Sequence, residues 1–113
     1  MALFTELPVY RDTHKLAILL YQTTNNFSRD YKHDLGLNIK QGCLNLIRCI
    51  YHANISNDKV IHLKNFEDHF EILKFEMRLS VDLKLLSIDK YSKIILTMDT
   101  IGKQITGWKK SSS

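Results

Sequence analysis

Proline, glycine and cysteine are scarce in this chain: its 113 residues include one Pro, four Gly and two Cys. Turn-rich β-sandwiches and barrels need Gly and Pro at frequent intervals, so their scarcity points to long helices. Cys43 and Cys49 lie six apart in one predicted helix, about 120° apart around its axis, which prevents pairing there. With no Cys-x-x-Cys motif, they read as small buried thiols in a reducing compartment. The longest purely apolar run, Leu16 to Tyr21, is six residues, against the roughly 20 that span a bilayer. The N-terminus lacks a basic stretch followed by an apolar one, the mark of a signal peptide. The expectation is a soluble, cytoplasmic protein with no membrane association. A Gly-rich phosphate loop, a nucleophile elbow and a His-Glu-x-x-His motif are also missing, so neither catalysis nor a cofactor is expected.

A hydrophobic content of 44% and a charged content of 25% are those of one ordinary globular domain over residues 1–113. Its organising stretch is Asn57 to Leu86, which contains no Gly or Pro. Leu63, Phe66, Phe70, Leu73 and Met77 advance by 3, 4, 3 and 4, the seam spacing of a bundle helix. Ile72, Phe75, Leu79, Leu83 and Leu86 advance by 3, 4, 4 and 3 and fall roughly opposite. The second set is the expected subunit contact, and Leu79→Asp is expected to break the assembly before the fold.

Three further helices follow from periodicity and punctuation. Pro8 suits the first position of a helix over about 8–27, with Tyr10, Ala17, Leu20, Tyr21, Thr24 and Phe27 on one face. A helix over about 30–54, capped by Ser28 or Asp30, buries Leu35, Ile39, Gly42/Cys43, Leu46, Cys49/Ile50 and Ala53, with Gly42 admitting a close neighbour. Ser56 or Asn57 caps the 57–86 helix, and Ser87 opens the last over about 88–109. That helix buries Tyr91, Ile94, Ile95, Met98, Ile101, Gly102, Ile105 and Trp108, before a frayed polar tail, 110–113. Short loops make neighbours antiparallel, so the predicted fold is all-α, an up-down-up-down four-helix bundle.

Metal chemistry finds little support. His62 and His69 share a helix face but stand two turns, about 10 Å, apart. Glu67, Glu71 and Glu76 are followed at +3 by Phe70, Lys74 and Leu79, not by the His of a di-iron bundle. The basic residues are better placed. Arg29, Lys32, His33 and Lys40 gather near the start of the second helix. From Lys90 onward five lysines (Lys90, Lys93, Lys103, Lys109, Lys110) face one acid, Asp99, an excess equal to the whole chain's net charge of +4. Such a face either keeps the protein soluble or contacts phosphates. Without interleaved aromatics, any nucleic-acid contacts are expected at the backbone with little sequence specificity.

A set of ordered short motifs adds a resemblance. Phe27-Ser28 is followed by Tyr31 and Leu35-Gly36, and Ala53-Asn54 closes the second helix. Leu73, Arg78-Leu79 and Asp82-Leu83 lead to Leu86-Ser87 and Tyr91, and then to Ile101-Gly102-Lys103 and Gly107-Trp108. From about Tyr21 to Lys110 this order resembles the Avd proteins, the accessory variability determinants of diversity-generating retroelements. The resemblance implies a homopentameric, non-catalytic barrel of four-helix bundles with a basic surface. It also implies association with the element's reverse transcriptase and with RNA or DNA, in support of mutagenic copying of template RNA into cDNA. A related group, the bundle proteins of ribosomal-RNA intervening sequences, carries an Asn-Ile-Ala-Glu-Gly signature that is missing here. The alternatives are a bundle of that type or a pure protein-interaction scaffold, in which the lysines serve solubility alone.

Overall fold

The computed structural model describes residues 2–113. A 3-10 turn at Phe4–Glu6 leads into α1 (Pro8–Asn25), followed by the single-turn α2 (Arg29–Lys32), α3 (Leu35–Ile55), α4 (Lys59–Asp82) and α5 (Ile88–Ser112). No strand occurs among the described residues. Each long helix packs against two others, in the cycle α1–α3–α4–α5 and back to α1. This is the arrangement of an antiparallel four-helix bundle, elongated to 43 × 23 × 21 Å.

Local chemistry sets the ends of these helices, and it moves several of the expected boundaries. Pro8 is the first residue of α1, as its missing N–H favours. The face of α1 turned to the core is Val9, Thr13, Leu16, Leu20 and Thr24, so Tyr10 and Tyr21 flank the core instead of entering it. Phe27 is buried just beyond the helix, in the turn. The expected helix over 30–54 is divided at Asp34, whose backbone is non-helical and whose carboxylate accepts the Leu35 N–H as the cap of α3. Gly36 is buried at this corner, where a Cβ would make ordinary contacts of 3.5 Å with the Tyr31 carbonyl and 3.6 Å with the Phe27 ring.

Between α3 and α4, the Ser56 hydroxyl accepts the Asp58 N–H at 3.0 Å, and Asp58, not Ser56 or Asn57, is the cap residue of α4. The Lys59 ammonium donates to the carbonyls of Ala53, Asn54 and Ser56 at 2.8, 3.0 and 3.1 Å, which satisfies the carboxyl end of α3. Helix α4 stops at Asp82, four residues before the expected end at Leu86. Lys84 adopts a left-handed conformation with φ 63°. Its N–H reaches the Val81 carbonyl at 2.9 Å, and the Leu85 N–H reaches Ser80 at 2.8 Å. Those two bonds form a Schellman cap, with lysine where glycine is the usual residue. Ser87 then caps α5, accepting the Lys90 N–H at 3.2 Å. Helix α5 continues to Ser112, so most of the tail expected to fray is helical.

The core is continuous and apolar. Leu16 and Leu20 from α1 meet Ile39, Leu46 and Ile50 from α3. The whole first seam of α4 and Ile94, Met98, Ile101 and Ile105 of α5 complete it.

Candidate functional site

Antiparallel topology separates the basic residues singled out by sequence. Arg29, Lys32, His33, Lys40, Lys90 and Lys93 belong to the end of the bundle where α1 and α4 finish and α3 and α5 begin. Lys103, Lys109 and Lys110 belong to the other end. Along α5 the twenty positions from Lys90 to Lys110 cover about 30 Å, so the nine residues do not form one patch on a protomer.

At the first end several cations stand without a carboxylate. Lys93 pairs with Asp89 at 3.6 Å and Arg78 with Asp82 at 3.5 Å, while Arg29, Lys32, Lys84 and Lys90 form no ion pair among the described residues. Lys40 lies over the ring of Tyr21, 5.3 Å from its centroid. Lys84 was not among the sequence candidates, because a lysine inside an expected helix gives no hint that it sits at a turn. Lys90 and Lys93 border a shallow groove with Leu19, Gln22 and Thr23 of α1 and Asn26 just beyond it, which places amides beside the ammonium groups.

The second end is electrically mixed. Lys109 binds Glu67 at 2.7 Å, with the two side chains 30% and 35% exposed. This bond ties α5 to α4 and removes Lys109 from the free cations. Lys103 and Lys110 line a groove of about 690 Å3 between α4 and α5, together with Lys74, Glu67, Glu71 and Asp99. Of the three carboxylates Glu67 is already held by Lys109, so the groove carries mixed charge with a small excess of cations. Its floor is Phe66, Phe70 and Met98.

The second seam of α4 divides in the folded chain. Ile72 and Phe75 are each 61% exposed. Leu79 and Leu83 are half-buried against the core, and Leu86 is part of it at 6% exposure. Leu86 therefore cannot serve as a contact residue. The Schellman cap is the reason, since it turns the chain after Leu83 and folds Leu85 and Leu86 back on the bundle. Leu79→Asp would place a carboxylate at the edge of the core, so Ile72 and Phe75 are the cleaner probes of assembly.

The remaining titratable groups are structural in character. Burial pushes the Cys43 thiol up to about 12 and also raises Cys49, and both cysteines are free. Burial likewise raises Glu76, which lies in the shallow α3–α4 groove with Asn38, Gln41, Asn45 and His69. His62 does not face His69. Its ring stacks on His52 of α3 with centroids 5.7 Å apart, a pairing across the α3–α4 turn that sequence spacing does not reveal. No group of three or more His, Cys, Asp or Glu side chains placed to hold a metal occurs among the described residues. No described helix is long and apolar enough to cross a membrane.

Comparison with curated proteins finds no match. A family model does match: the bAvd-like model covers residues 9–112, from the first turn of α1 to the last residue of α5. That span includes the whole four-helix bundle and every motif that carries the resemblance. The chain belongs to the bAvd-like family.

Proposed function

We propose that this chain is a non-catalytic accessory protein of a diversity-generating retroelement. In this reading it binds the element's reverse transcriptase and, through exposed cations, the backbone of template RNA or cDNA, supporting mutagenic reverse transcription. Membership of the bAvd-like family over residues 9–112 carries the proposal. The cations without carboxylate partners, Arg29, Lys32, Lys84 and Lys90, add physical support. They stand at one end of the bundle, where a closed ring of copies would present them repeatedly to one strand.

The assembly belongs to the same reading. A homopentamer would use Ile72 and Phe75, whose exposure has no purpose inside one protomer. Two measurements test the proposal together. Light scattering of the purified chain is expected to give one discrete oligomer, which Ile72→Asp or Phe75→Asp reduces to monomer with the helical content unchanged. Co-expression with a reverse transcriptase encoded beside the gene is expected to yield a stable complex. A monomeric wild type, or a reverse transcriptase that elutes alone, would refute the corresponding half.

A further inference from the structure

Gly107 has no packing role within the protomer. It lies inside α5, on the exposed side, and a Cβ there would meet nothing within 4 Å. A glycine within a helix costs up to about 1 kcal/mol relative to alanine, and no close approach of another helix offsets that here. The missing side chain instead leaves a saddle in α5. The groove between α4 and α5 and a smaller one of about 350 Å3 between α1 and α5 are both bordered by Lys103 and Gly107, so they meet across the helix at this point. Glycine in such a place lets another molecule lie against the backbone.

The smaller groove suits a flat ring with a polar edge. Leu7, Pro8 and Val9 at the entry of α1 line it together with Gln104 and Trp108 of α5. Its volume falls at the lower end of the roughly 300–1,000 Å3 of ligand sites. Trp108, the chain's one tryptophan, is half-buried against the core, and an indole is a stacking surface for heteroaromatic rings. The Gln104 amide is only half used. Its Nε2 donates to Asp12 at 2.6 Å, which fixes the amide's orientation, while the buried Oε1 has no donor. An orphaned acceptor is costly, and a donor entering the groove would complete it with a small shift of the side chain.

Charge adds to this picture. No carboxylate lines the smaller groove. Lys103 at its rim and Lys110 beyond the saddle form no ion pair among the described residues. In the larger groove Lys109 holds Glu67 and Lys74 holds Glu71, which leaves Asp99 as the one carboxylate without a partner. Base stacking was not expected from the sequence, but the fold places Trp108 and Lys103 on one groove.

We propose that the groove beside Trp108 binds a nucleotide unit. An amino-bearing base stacks on the indole and donates to Gln104 Oε1, the sugar crosses Gly107, and the phosphate meets Lys103. This deepens the nucleic-acid reading with a base contact at the end of the bundle opposite Arg29, Lys32 and Lys90, and rests on that reading only for the strand the unit belongs to. Charge reversal at those three residues should leave mononucleotide binding unchanged, so the two readings fail separately.

Trp108 is its own reporter. Adenosine monophosphate should quench its fluorescence saturably, excited where adenine is transparent, and calorimetry should return the same affinity. Purine riboside monophosphate, which lacks only the amino group, should bind about tenfold more weakly. Lys103→Ala should weaken adenosine monophosphate but not adenosine. Gly107→Leu should abolish binding while the bundle stays at least as stable, since the position is open and leucine is the better helix former. A short oligoadenylate distinguishes the sources: tighter binding than the mononucleotide, with the same loss on Gly107→Leu, identifies a strand, and equal affinity identifies a free nucleotide, both in support. No saturable quench, equal binding of the two purine nucleotides, or undiminished binding by Gly107→Leu would overturn the proposal. A fall in particle mass on Gly107→Leu would assign the groove to a neighbouring copy and overturn it too.

Discussion

Lys84 occupies a position where its backbone and its charge are expected to favour opposite residues. It is the one non-glycine residue with positive φ among those described, and a side chain in that conformation costs roughly 1–2 kcal/mol. Glycine removes the cost but gives back part of it, roughly 0.5–1 kcal/mol, through a freer unfolded chain. Lys84→Gly is therefore expected to stabilise the bundle by about 1 kcal/mol, or roughly 4 °C in Tm for a domain of this size. Chemical and thermal unfolding followed by circular dichroism, at one fixed protomer concentration, measures this directly. Lys84→Val, with a β-branched side chain in the same conformation, should move stability the other way. The glycine variant also removes one cation from the end that carries Arg29, Lys32 and Lys90. If that end holds phosphates, RNA affinity falls while stability rises, and the salt slope becomes shallower by about 0.7. A destabilised glycine variant would refute the assignment of the Schellman cap. A stabilised variant with undiminished RNA affinity would remove Lys84 from the interface.

Glu76 has a folded-state pKa above its ordinary value because burial disfavours its charge. The folded state therefore holds the proton more tightly, and this residue's contribution to stability declines as pH rises through the carboxylate range. Glu76→Gln should raise the unfolding midpoint at pH 7, with the gain shrinking as the pH is lowered to 4; a gain that grows toward low pH would contradict the burial argument. The raised thiols of Cys43 and Cys49 should react with a disulfide reagent at pH 8 far more slowly in the folded chain than in denaturant, and rapid labelling of the native protein would contradict their burial. Gly42 was expected to admit a close neighbour, yet a Cβ there would meet only the Leu73 Cδ1 at 3.4 Å. Gly42→Ala should accordingly gain up to about 1 kcal/mol of helix stability, and destabilisation in denaturant titrations would show that Leu73 cannot yield.

The bundle was legible because its strongest signals are periodic. The seams Leu63 to Met77 and Leu35 to Ala53 needed only their spacing to be placed in the core, where the structure has them. The corners were less legible. Asp34 divides the second expected helix by taking a backbone N–H, and Lys84 ends the third in a conformation that its side chain does not advertise. That turn also sends Leu86 inward, so a run read as one interface seam serves partly as core. Among the candidate cations, helix phase showed which were exposed, but partners came only with the third dimension. Lys109 and Glu67 are 42 residues apart in sequence, and nothing local predicts their 2.7 Å bond. The exposed apolar residues of α3, Leu37, Leu44, Tyr51 and Ile55, were present in the sequence but masked by the stronger core seam alongside them.

The claim that exposed cations make this chain a nucleic-acid-binding accessory protein is tested most directly by the salt dependence of RNA binding. If Arg29, Lys32, Lys84 and Lys90 each neutralise one phosphate of a single strand, the logarithm of affinity should fall against the logarithm of salt with a slope near −3. Between 50 and 200 mM salt this is a loss of about 50-fold per protomer engaged, and more if several copies hold one strand. Charge reversal at Arg29, Lys32 and Lys90 should remove most of that slope while leaving the helical bundle intact. A flat response for the wild type, or a slope unchanged by the reversals, would contradict the account.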